Sequence, residues 1–92
     1  MITLLITTHV HDRFIGDYVD LARQICARTQ KEEGCIRYDY SQDLEDPAAF
    51  VLVENWASQE DLDRHLKLLE NDPQLAKMRE MRIDSRMERF EV

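Results

Sequence analysis

The sequence predicts an α+β fold of the ferredoxin-like type. Its elements run strand, helix, strand, strand, helix, strand, and the four strands form one antiparallel sheet. Three observations lead there. Ile2 to Val10 is dense in Ile, Leu, Thr and Val, the composition of a strand. Ile36 to Gln42 and Ala49 to Ala57 alternate their side chains on either side of a turn-forming stretch. Two further stretches carry apolar residues at the three- and four-residue spacing of an amphipathic helix.

In the first strand Ile2, Leu4, Ile6, Thr8 and Val10 share the more apolar face, opposite Thr3, Leu5, Thr7 and His9. Asp12 is the expected N-cap of a helix running to about Glu32, with Phe14, Tyr18, Ala22, Ile25 and Thr29 as its buried stripe. Gly34 offers the left-handed stop. In the second strand Ile36, Tyr38 and Tyr40 face one way and Arg37 and Asp39 the other. Asp43-Leu44-Glu45-Asp46-Pro47 is turn material, so this strand and the next make a hairpin. There Phe50, Leu52, Glu54 and Trp56 oppose Val51 and Val53. Ser58 caps a helix carrying Leu62, His65, Leu66 and Leu69. Asn71-Asp72 interrupts it, and Asp72-Pro73 restarts it with Leu75, Ala76, Met78 and Met81. Asp84 to Val92 is the last strand. With helices on one sheet face, Leu5, Val51 and Val53 need cover on the other, and a second copy of the chain is the economical cover.

Ninety-two residues suit one domain spanning 1–92. The net charge of −7, with 19 acidic against 12 basic residues and no basic run, argues against nucleic acid and anionic membrane as partners. Apolar runs such as Leu4-Leu5-Ile6 are far too short to span a bilayer, and a strand follows Met1 at once, so a cytoplasmic location is expected. Cys26 and Cys35 lack the spacing of a zinc or redox pair and read as small buried hydrophobes.

Chemistry concentrates between Glu54 and His65. If the helix packs on the strand face, an indole, a carboxylate and an imidazole converge on one apolar space suited to a small flat molecule. A neutral imidazole accepts a proton near pH 7, which makes His65 the candidate base; the alternative is a core histidine bonded to a carbonyl. Trp56 either stacks on a planar substrate or packs the core. Glu54 is a base, an orienter of His65, or the ion-pair partner of an arginine. Tyr38 and Tyr40 point toward the helices, for core packing or for contact with substrate. His9 and His11 have no third ligand at metal-binding spacing and read as surface or interface residues.

The chain resembles the antibiotic biosynthesis monooxygenase family, whose members are dimeric α+β barrels. The resemblance rests on Glu33-Gly34-Cys35-Ile36-Arg37-Tyr38-Asp39, on Glu54-Asn55-Trp56-Ala57-Ser58, on Leu62 and His65, and on the element order. Characterised relatives oxidise quinols or anthrones with dioxygen and without metal or flavin, others degrade haem, and some isomerise small signalling molecules. The haem-degrading relatives place an asparagine on the first strand, and none occurs between Met1 and Val10. Some quinol and anthrone relatives carry an asparagine four residues before the tryptophan; here that position is Leu52. His9-Val10-His11-Asp12, with Glu32-Glu33-Gly34, is similar to the signalling-molecule branch.

The resemblance implies a homodimeric, cofactor-free monooxygenase that needs no metal and acts with molecular oxygen on a small aromatic or enol substrate. His65 and Glu54 would be catalytic, and Trp56, Tyr38, Leu52, Leu62 and Thr8 would bind substrate. The alternatives are an oxygen-independent isomerase or degrading enzyme for a small signalling metabolite, and a non-catalytic ligand-binding dimer module.

Overall fold

Side-chain alternation in Ile2–Val10 produces β1, whose Ile2, Leu4, Thr8 and Val10 are buried on a single face. The computed structural model describes all residues, Met1–Val92. A short 3-10 turn, Asp12–Phe14, precedes α1 (Ile15–Thr29). Four residues of the expected stripe, Tyr18, Ala22, Ile25 and Thr29, are buried, whereas Phe14 lies in the 3-10 turn and is only half-buried. Both predicted ends of this helix are corrected. Asp12 lies inside the 3-10 turn and makes no cap, and the helix stops at Thr29 rather than near Glu32. The backbone N–H groups of Lys31 and Glu32 reach only the third residue back, Arg28 and Thr29, so the last turn tightens and Glu32 leaves the helix axis.

β2 (Cys35–Gln42) and β3 (Ala49–Trp56) form the expected hairpin. One face assignment changes. A bulge between Cys35 and Arg37 sets Cys35 opposite Trp56, so Cys35 packs on the core and Ile36 is exposed. Next come α2 (Gln59–Leu69), α3 (Pro73–Met81) and β4 (Arg82–Glu91). Ser58 Oγ accepts from the Asp61 N–H, and Asp72 accepts from the Gln74 N–H, so both predicted caps form. The sheet order is β2-β3-β1-β4 with every pair antiparallel, which is the ferredoxin-like α+β arrangement.

The core lies between the sheet and the helices, where Tyr18, Ile25, Leu62, Leu75 and Met78 meet Leu4, Phe50, Leu52 and Trp56. On the opposite face Leu5, Val51 and Val53 are half-buried, and Phe90, paired with Thr3, is exposed. No helix is long and apolar enough to cross a membrane.

Gly34 has φ +79° and is the left-handed residue, but it works in the turn entering β2, not as the cap of α1. A Cβ there would run into the Asp61 side chain. Asp61 is itself held by Ser58 Oγ at 2.8 Å and by Arg64 at 2.9 Å, so the glycine docks the β2 entry against the start of α2. Gly34→Ala should destabilise the protein by about 1–2 kcal/mol through the backbone alone, and by up to ~1 kcal/mol more if Asp61 must leave its cap. Urea unfolding reads this loss; a loss confined to the backbone share would mean that Asp61 yields freely, and an unchanged midpoint would contradict the strain at the left-handed position.

Candidate functional site

Alternation along β3 places Glu54 and Trp56 two residues apart on the core face, and there the Trp56 indole N–H donates to Glu54 Oε1 at 2.9 Å. In α2, His65 shares the stripe of Leu62 and is only 1% exposed. Its ring lies 4.6 Å from the Trp56 ring, tilted by 32°, and 5.5 Å from Tyr38 in an edge-on arrangement. The imidazole Nδ1 is 2.9 Å and 3.2 Å from the two carboxylate oxygens of Glu32. A carboxylate only accepts, so the neutral ring carries its hydrogen on Nδ1 and presents a lone pair at Nε2. That nitrogen is 3.9 Å from Glu54 Oε1, too far for a direct hydrogen bond.

Burial pushes the Glu54 carboxyl above its ordinary range. The Trp56 N–H and the His65 ring oppose that rise, and the Glu32 charge reinforces it. A carboxyl whose folded pKa exceeds its unfolded value favours folding while it is protonated. Its contribution is complete below about 4.5, the ordinary value, and fades as pH rises through the raised folded value. Glu54→Gln keeps an acceptor for the indole and removes this titration. Its Tm should gain on the wild type as pH rises from 4.5 to neutrality; a constant difference over that range would contradict the raised carboxyl. Burial also raises Tyr38 and Tyr40 far enough to keep both hydroxyls protonated, and it lifts the Cys35 thiol to about 11.

His65 and Glu54 line a half-enclosed, largely apolar cavity of about 190 Å³ between the sheet and α2–α3. Tyr38 and Leu52 line it with them. Trp56, Leu62 and Thr8 do not: all three are buried behind it, Trp56 against the imidazole. Thr8 approaches the space only through Ser85, whose Oγ is 3.4 Å from its own. His9 is instead paired with Asp84 at 2.8 Å at the far end of β1, and His11 meets Phe14 edge-on.

Sequence reasoning missed three participants. Glu32, expected to end a helix, is the partner of His65 across 33 residues of chain. Arg79 and Arg82, which no sequence pattern singles out, line the cavity. The Glu32-Glu33-Gly34 phrase marked the turn, but no spacing rule tied it to His65.

The fold and site define a small α+β protein with a buried, carboxylate-oriented histidine at an apolar hollow. The chain belongs to the antibiotic biosynthesis monooxygenase family, whose model matches residues 1–78. It is similar to a Deinococcus radiodurans protein described as a candidate antibiotic biosynthesis monooxygenase, with 22% identity, TM-score 0.90, and 100% and 92% of the two chains covered. A Bacteroides thetaiotaomicron protein of unknown function, described as a possible oxidoreductase, is 26% identical with TM-score 0.89, over 99% and 96% of the chains. A variant of SnoaB, a cofactor-independent oxygenase from Streptomyces nogalater, is 15% identical with TM-score 0.85, over 99% and 91%. No curated protein matches the chain.

Proposed function

We propose that the protein is a cofactor-independent monooxygenase for a small quinol-like aromatic or enol, with His65 as its general base. The observation that carries this reading is the oriented imidazole: Glu32 fixes Nδ1, and the free Nε2 belongs to a side chain lining an apolar cavity. Nε2 takes the hydroxyl proton, and Glu32 stabilises the imidazolium that results. The substrate anion then supplies the electrons to dioxygen. For a quinol, a ring C–H bond is replaced by a C–O bond, the ring leaves as a hydroxyquinone, and the second oxygen atom leaves as water. The protein contributes position and a dry enclosure. Tyr38 donates a hydroxyl that burial keeps protonated. Trp56 acts from behind, holding Glu54 and the imidazole plane.

Size restricts the substrate. A cavity of about 150 Å³ accepts benzene, so about 190 Å³ suits one substituted ring or a compact bicycle. Metal-stripped protein should accelerate dioxygen uptake by menadiol and place one atom of labelled dioxygen in the product. Uptake no faster than in buffer would reject the proposal.

One observation favours a second reading. Glu54, biased toward its protonated form, and His65 line the same cavity as an acid and a base. That pair suits an enediol isomerisation that needs no oxygen, and turnover undiminished under argon would select it. We also propose a homodimer closed across Leu5, Val51 and Val53, because an apolar sheet face gains by being covered. Sedimentation should give a dimer mass, and Val53→Lys should shift it toward the monomer.

A further inference from the structure

The arginines of this chain divide into two groups. Arg28, Arg37, Arg64, Arg86 and Arg89 are each paired with a carboxylate. Arg13, Arg23, Arg79 and Arg82 have no carboxylate partner, although acidic residues outnumber basic ones across the chain. Arg13 sits over the Phe14 ring and Arg23 is exposed on α1, which leaves Arg79 and Arg82. Both line the cavity that holds His65 and Glu54. Arg79 sits in the last turn of α3 and Arg82 opens β4, and the Arg82 Nε donates to the Tyr18 hydroxyl at 3.3 Å. That single neutral bond aims the guanidinium without satisfying its charge.

The sheet register separates these cations from the base. Glu54 pairs with Leu4 of β1, whereas Ser85, a cavity residue three positions after Arg82, pairs with Thr8, and Arg82 itself pairs with Val10. Leu4 and Thr8 are four residues apart, about 13 Å along the strand. The wall between them is apolar, formed by Ile6, Leu52 and Met87. One end of the hollow therefore handles a proton, the middle accepts a hydrocarbon surface, and the other end carries unneutralised guanidinium groups with five donors each in a planar fork.

We infer that the substrate carries an oxyanion group, a carboxylate or a phosphate monoester, bound by Arg79 and Arg82 at the end of the cavity remote from His65. The inference rests on the functional reading above for its hydroxyl end; the oxyanion end stands on the arginines alone. A guanidinium fork matches either anion in two parallel hydrogen bonds, and partial enclosure strengthens them over their value in water. The substrate class becomes a hydroxyaryl or enol acid with its ionised group across the ring from the reacting hydroxyl.

The test is equilibrium binding, which needs no turnover. The single tryptophan, packed on His65, reports occupancy by fluorescence, and calorimetry checks it. Three probes are compared: 4-hydroxybenzoate, its methyl ester, and 4-hydroxyphenyl phosphate. At least one of the two anions should bind about 10- to 100-fold more tightly than the ester. That preference should fall toward unity in Arg79→Gln and in Arg82→Gln, and should weaken with added salt. Whichever anion binds more tightly identifies the oxyanion. Arg79→Gln is the cleaner variant, because the Arg79 side chain is exposed and makes no hydrogen bond within the fold, whereas Arg82 also holds Tyr18. An ester that binds as well as both anions, a preference that survives in Arg79→Gln/Arg82→Gln, or no saturable binding of any probe would overturn the inference. An anion preference in a protein that consumes no dioxygen would leave this site standing and reject the oxygenase.

Discussion

Replacing His65 with Ala should lower kcat/KM for dioxygen uptake by about 10²–10⁴, the usual contribution of a positioned general base. The magnitude follows from how fully the ring is committed. It is buried between Trp56 and Tyr38, its Nδ1 is held by both oxygens of Glu32, and no other imidazole lines the cavity. Loss of packing alone would also reduce activity, so the diagnostic result is rescue. The deletion leaves a ring-sized void beside an orphaned Glu32, and added imidazole should occupy it and restore part of the rate. Glu32→Gln should give a smaller loss. It keeps a partner for Nδ1 but removes the charge that stabilises the imidazolium and permits the wrong tautomer. A His65→Ala enzyme with an unchanged rate would take the imidazole out of the reaction; a slow enzyme indifferent to imidazole would make His65 a packing residue.

The legible part of the fold was whatever is local in sequence. Alternation in Ile2–Val10 and Ala49–Trp56 gave the faces of the central strands, and the capping signals at Ser58 and Asp72 gave the starts of α2 and α3. Two errors came from events that single-residue patterns do not encode. The bulge at Cys35 shifts one residue of phase and exchanges Ile36 for Cys35 on the core face. The early end of α1 reflects a tightened turn that frees Glu32 to reach His65. The site shows the same division. His65, Glu54, Trp56 and Tyr38 were expected together because strand and helix periodicity places them on facing surfaces. Their order in depth was not legible: the indole lies behind the imidazole, with its N–H already given to Glu54. Glu32 and the two arginines were invisible because their approach is set by tertiary folding, not by spacing.

Trp56→Ala should destabilise the protein by about 3–5 kcal/mol, enough to threaten folding of a domain with a typical stability of about 5–15 kcal/mol. Trp56 is fully buried at the end of β3, where it pairs in register with both Ile2 and Cys35 and supports the imidazole ring. Truncation would open a large void and strand the Glu54 carboxyl without its only hydrogen-bond donor. Trp56→Phe separates the two effects in part, because it keeps an aromatic ring in the core and removes the N–H. That N–H holds the Glu54 pKa down, so its loss must drive the carboxyl further up. The folded pKa then lies still further above the unfolded one. The stability of Trp56→Phe should therefore fall more steeply between pH 4.5 and neutrality than that of the wild type. Combined with Glu54→Gln, the phenylalanine variant should lose that extra slope, since no carboxyl remains to titrate. Urea midpoints of the four proteins across this range form a double-mutant cycle, and equal slopes in Trp56→Phe and wild type would show that the indole N–H does not tune Glu54.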